Sequence, residues 1–149
     1  MNKTWVVVAE SSRSRIFNME KINGPLVEIL TFDNPEARKH DAEILADRTG
    51  RSYDSHGHGR NDISEHYAGK QEAERFARQL AELLDSHRLT GDYEQLILFA
   101  APTFLGLLRE HLTESTNRLI VHDSNKNLVQ FNADKIRDHI PKPIPRIIA

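Results

Sequence analysis

The chain is predicted to fold as an α/β protein, a three-layer domain built on a mixed sheet in the order β-β-β, long polar loop, α-β-α-β-α. Three observations carry this prediction. β-Branched and aromatic residues crowd three segments between residues 4 and 32. Residues 96–101 are apolar at every position, as a central strand covered on both faces requires. From Lys70 to Arg88, apolar residues recur at helical spacing.

Taken in order, Trp5–Ala9 and Arg15–Glu20 read as two antiparallel strands joined through the polar Glu10-Ser11-Ser12-Arg13-Ser14. A turn at Asn23-Gly24-Pro25 leads to a third strand, Leu26–Phe32, which completes a meander. Asn34-Pro35 has the form of an N-cap followed by proline at the first helical position, so a short helix is expected there, although its apolar face (Ala37, Ile44, Leu45) is thin. The long helix is carried by Ala73, Phe76, Ala77, Leu80, Leu83, Leu84 and His87, and Thr90-Gly91-Asp92 ends it. Strand Leu96–Ala101 stops at Pro102, and Thr103 is the expected cap of a helix reaching about Leu112. Leu119–His122, starting from Arg118, makes the fifth strand, and Asn132 is the expected cap of a last helix through Ile140, stopped by Pro141. The proline-spaced tail 141–149 ends apolar and is expected to pack on a surface or on a neighbouring subunit, which makes it the candidate contact of a homo-oligomer.

A length of 149 residues with 38% hydrophobic composition suits one domain spanning 1–149 with one ordinary core. Twenty basic against 22 acidic residues leave a formal charge of −2, so global electrostatics favour neither nucleic acid nor an anionic membrane, and any such contact is local. Without cysteine there is no disulfide, thiolate metal site or thiol nucleophile. The N-terminal apolar run is far shorter than a signal-peptide core, and Leu96–Leu108, interrupted by Pro102, is too short to span a bilayer. The expectation is a cytoplasmic protein without membrane insertion and without a cofactor.

The polar run at 47–66, DRTGRSYDSHGHGRNDISEH, is the feature that calls for a function, because compact domains seldom keep structureless connections longer than about 12–15 residues. Gly57, His58, Gly59 and Arg60 combine glycines that allow close backbone approach with a guanidinium that forks onto phosphate oxygens. Together with Arg48 and Arg51 they are the candidate phosphate or RNA ligands. The counter-reading is a solvated loop, since Arg38, Lys39, Arg48, Arg51 and Arg60 are matched by Glu36, Asp41, Glu43, Asp47 and Asp54. His56 and His58, with His40 and His66 nearby, sit between glycines without packing anchors, so no metal is expected there. Glu10 and Asp123, near two strand ends, are the start of the carboxylate set that a two-metal nuclease would need. A third carboxylate is not assignable, and two exposed loop acids are the simpler reading. Ser11 and Ser12 follow a strand without a nucleophile-elbow motif and are expected to bond the turn backbone.

Five stretches, WVVVAESSRSRIF (5–17), NPEAR (34–38), DRTGRSYDS (47–55), EAERFARQL (72–80) and APTFLGLLR (101–109), together resemble the bacterial family called "protein required for attachment to host cells". That family in turn resembles the middle domain of archaeo-eukaryotic peptide-chain release factors and Pelota. The resemblance implies a release-factor-like, Rossmannoid (ribonuclease H-like) domain with the element order read above. In release factors the connection before the long helix carries a Gly-Gly-Gln tip that enters the ribosomal peptidyl-transferase centre. The segment His56-Gly57-His58-Gly59-Arg60 holds that position here, without a Gly-Gly pair or a glutamine. The expectation is therefore a binding module that contacts RNA, on the ribosome or on tRNA, through residues 47–66. Two alternatives stand beside it: a hydrolase of peptidyl-tRNA hydrolase or ribonuclease H type, and a protein-interaction factor with an indirect role in attachment.

Overall fold

A computed structural model describes residues 3–34, 58–142 and 144, with side chains of the long helix described from Gly69 onward. The elements are β1 (Thr4–Ala9), β2 (Arg13–Met19), β3 (Val27–Asp33), α1 (His58–Leu89), β4 (Gln95–Ala100), α2 (Pro102–His111), α3 (Glu114–Asn117), β5 (Ile120–Ser124) and α4 (Ala133–Asp138). Among the described residues the sheet has five strands in the order β3-β2-β1-β4-β5. β1 pairs antiparallel with β2 and β2 with β3, while β1–β4 and β4–β5 are parallel. The sheet is thus mixed, and β4 lies inside it between two parallel neighbours, as its uninterrupted apolar sequence requires. At position 23 of the β2–β3 turn Asn23 has φ 64°, a left-handed conformation that asparagine tolerates.

Strand alternation divides the core into two clusters. Trp5, Val7, Ala9, Leu96, Leu98 and Ala100 face Phe76, Ala77, Leu80 and Leu84 of α1 and Phe104, Leu105 and Leu108 of α2. Val6, Val8, Phe17, Ile97 and Phe99 face Leu128, Val129, Ile136 of α4 and Ile140 just after it. Helices therefore cover both faces, giving three layers. Arg15 fixes the second cover to the sheet: its Nη1 donates to the carbonyls of Val129 and Phe131 at 2.7 and 2.6 Å, and its Nη2 pairs with Glu28 at 2.7 Å. That bond holds the Glu28 carboxyl below its usual range. Ile144, at the start of the Pro-rich tail, is buried in the same cluster, so this part of the tail packs on its own sheet.

The described strands begin and end within about two residues of the expected ones, the scatter inherent in element boundaries. Two helical expectations are corrected and one helix is added. The long helix begins at His58, so residues 58–66 of the expected loop are helical. Once the apolar stripe from Ala73 to Leu84 has set the helix, adding polar turns costs little, whereas starting a new helix is expensive. Ala101, not Thr103, is the N-cap of α2, with Pro102 directly after it and the Leu105 N–H bonded to the Ala101 carbonyl at 2.8 Å. Proline's fixed φ and missing N–H suit the first helical position. The short α3 was not expected; Thr113 caps it by accepting from the Thr116 N–H. Asn132 caps α4 as expected, accepting from the Lys135 N–H. The segment 47–57 and the helix expected after Asn34-Pro35 lie outside the described residues. Among the described residues no helix is long and apolar enough to cross a membrane.

Candidate functional site

The parallel strands β1, β4 and β5 run in one direction, and the polar residues that follow them gather at one edge of the sheet. Ligands of open α/β sheets characteristically bind outside this carboxyl edge. The Ala101 N–H donates to the Ala9 carbonyl at 3.1 Å, so the β1 exit lies against the start of α2.

Glu10 is committed on both oxygens. Its Oε1 accepts from Ser12 Oγ at 2.7 Å and its Oε2 from Asn127 Nδ2 at 2.8 Å. Asn127 Oδ1 in turn accepts from the Val129 N–H at 3.2 Å, which ties the β1–β2 turn to the connection after β5. Asp123 pairs with Arg109 of α2. The two carboxylates suspected of metal chemistry are therefore each engaged by a different partner, and they lock strand exits to their neighbours. Among the described residues no group of three or more His, Asp or Glu side chains is placed to hold a metal ion. Ser12 was expected to bond the turn backbone; its hydroxyl donates instead to the Glu10 carboxylate two residues back, a charged acceptor within the same turn.

His122 sits beside Asp123 with its ring 5.8 Å from Phe99, edge to face. Burial lowers its pKa from the ordinary 6.5, with Asp123 pulling in the opposite direction. Burial, the largest influence, thus favours its neutral imidazole form.

Of the phosphate candidates, His58, Gly59 and Arg60 form the first turn of α1, while Arg48, Arg51 and Gly57 lie outside the described residues. The helix has 32 residues, so it is about 48 Å long. Its described link to the carboxyl edge is Asn34, whose Nδ2 donates to the Glu72 and Ser11 carbonyls, both at 3.2 Å. Sequence reasoning read Asn34 as the cap of a helix that lies outside the described residues, and did not foresee the bonds of its Nδ2 or the roles of Asn127 and Arg109. The Asn-Pro pair at 34–35 marks a special position, but nothing local names partners far away in the chain.

Among the described residues, what the edge offers chemically is hydrogen bonding and positioning through Glu10, Ser12, Asn34, Asn127 and the Asp123–Arg109 pair. A comparison with curated proteins gave no match. The family model described as "Protein required for attachment to host cells" matches residues 5–140, and the chain belongs to that family.

Proposed function

We propose that this host-attachment family protein is a binding module that contacts RNA phosphates, on the ribosome or on tRNA, through residues 47–66. Arg48, Arg51 and Arg60 are the charged partners in this reading, and Gly57, His58 and Gly59 allow the backbone to approach the phosphate. The observation that carries it is the start of α1 at His58. The N-terminus of a helix has unsatisfied N–H groups and the positive end of the dipole, which together favour an anion. The first turn contains no acidic residue to compete for that place. The sequence resemblance to release-factor middle domains lends support, because there the corresponding connection is the part that enters the ribosome. A cytoplasmic location belongs to the same proposal, whereas an indirect role in attachment belongs to the alternative reading, a protein-interaction factor.

The test is ultraviolet crosslinking in cells followed by identification of the bound RNA. The parent protein should yield RNA fragments, and a variant with residues 47–57 replaced by a Gly/Ser linker should yield far fewer. Equal recovery from both proteins would remove residues 47–57 from the interface. Co-purification of a protein partner without RNA would favour an interaction factor.

A further inference from the structure

Asn34 leaves β3 at the carboxyl edge and is only 6% exposed. Its backbone N–H donates to the Ser12 carbonyl at 2.9 Å. The two hydrogens of its side-chain amide have acceptors on two different elements: the Ser11 carbonyl in the β1–β2 turn and the Glu72 carbonyl in α1. C-terminal to this point, α1 is seated by Ala73, Phe76, Ala77, Leu80, Ala81 and Leu84, all buried. N-terminal to it run the helical residues from His58 to Gln71, about 21 Å of helix.

We propose that Asn34 is a positioning residue that fixes the direction in which this N-terminal arm of α1 leaves the sheet. The Glu72 carbonyl lies within the helix ladder, so a second donor from the sheet edge binds the helix axis itself and not merely a surface side chain. Leverage makes the bond matter: a tilt of about 10° at Glu72 displaces the start of a 21 Å arm by about 4 Å. The amide is the chemistry this junction needs. A carboxylate at position 34 would set oxygen against two carbonyl oxygens, and alanine would release both partners.

The functional consequence rests on the RNA-contact reading above. An arm with a fixed direction loses less conformational freedom on binding. Asn34 then sets the affinity for ribosomes without itself touching phosphate.

The chain has no cysteine, so Asn61→Cys and Arg118→Cys introduce two unique sites for spin labels at opposite ends of the molecule. Their distance distribution should be narrow with Asn34 present and should broaden in Asn34→Ala and shift outright in Asn34→Asp. Amide exchange in β1 and β4 should stay within about 2-fold of the parent, since the core strands report global opening. Distributions unchanged in folded Asn34→Ala and Asn34→Asp would overturn the proposal. If the aspartate variant does not fold, Asn34→Ser, which keeps one donor, should give intermediate broadening, and no broadening would overturn it equally. With purified ribosomes as the probe, Asn34→Ala should weaken binding about 5-fold, the scale of one hydrogen bond, with the salt dependence unchanged. A flatter salt dependence would make Asn34 a direct contact and overturn the positioning role. If the parent binds no ribosomes, the RNA reading fails, and the distance distributions still decide the tether.

Discussion

At the amino edge of the sheet the long helix ends among side chains that hold it from several directions, whereas at the carboxyl edge its described polar link to the sheet narrows to Asn34. Asp85 Oδ1 accepts from Arg88 at 2.9 Å, from Thr113 at 3.1 Å and from Thr116 at 3.3 Å, joining α1 to the α2–α3 junction. The Tyr93 hydroxyl donates to the Leu84 carbonyl at 2.5 Å, and the Trp5 ring lies 5.1 Å from His87 and 4.9 Å from Tyr93. Gly91, with φ 74°, lets the chain turn back so that its N–H reaches the Arg88 carbonyl at 3.0 Å. The Arg88 guanidinium holds the Asp85 carboxyl below its usual range, His87 does the same for Asp92, and burial pushes the Tyr93 hydroxyl up to about 12. The amino edge is a braced end. The carboxyl edge is where strand exits, the side-chain-uncapped start of α2 and the Glu72 turn of α1 come together, and scaffolds commonly carry function at the less constrained end of a rigid body.

The largest effect is expected where the apolar seat of α1 comes closest to the tether. Phe76 is fully buried and bridges Phe32 and Phe104, at 5.1 and 5.8 Å between ring centroids. Phe76→Ala should cost about 3–5 kcal/mol in urea unfolding. A loss below about 1 kcal/mol would mean that this part of α1 is weakly packed and that the braced region ends earlier than described.

A smaller change of opposite sign is expected at Ser14. Cross-strand register places it beside Ala9, which neighbours Ala100, under the helices on the first face. Its hydroxyl is fully buried, without a hydrogen-bond partner among the described residues. Ser14→Ala removes an unsatisfied polar atom and should raise stability by up to about 1 kcal/mol in the same assay. Destabilisation would point to a bond that the hydroxyl makes in solution.

The smallest effect is a pH slope. His122 has a folded pKa below its ordinary 6.5, so its contribution is present above pH 6.5 and is lost as pH falls through the lowered value. Asp85, Asp92 and Glu28 are also lowered, but from carboxylate values, so their contributions are lost only in stronger acid, as pH falls through their folded pKa values. Thermal midpoints measured from pH 7 to pH 5 should therefore decline in the parent and decline less in His122→Gln. Identical slopes would assign the decline to other groups.

How much of this was legible in the sequence follows from how local each cause is. β4 was readable because every residue from Leu96 to Ala100 is buried, and the C-terminal part of α1 because its buried residues keep one helical face. The start of α1 was not readable: residues 58–69 include Gly59 and Gly69 and few apolar side chains, so the helix there continues from a packed segment and has no pattern of its own. Asn34 was read as a cap because side chains such as asparagine commonly bond close by; the helix it would cap lies outside the described residues, and what was not readable is that its Nδ2 also reaches the Ser11 and Glu72 carbonyls. Glu10 and Asp123 were correctly read as strand-end acids, but their partners Asn127 and Arg109 depend on tertiary geometry.

Contact between RNA phosphate and the connection before α1 with its first turn is measurable by titrating ribosomes at several salt concentrations with the parent and with Arg48→Ala/Arg51→Ala/Arg60→Ala. Each lost phosphate contact should remove about 0.7–0.9 from the slope of log affinity against log salt, while folding stays intact. The triple variant should bind more weakly and with a flatter slope. An unchanged slope, or no binding by the parent at any salt concentration, would contradict the contact.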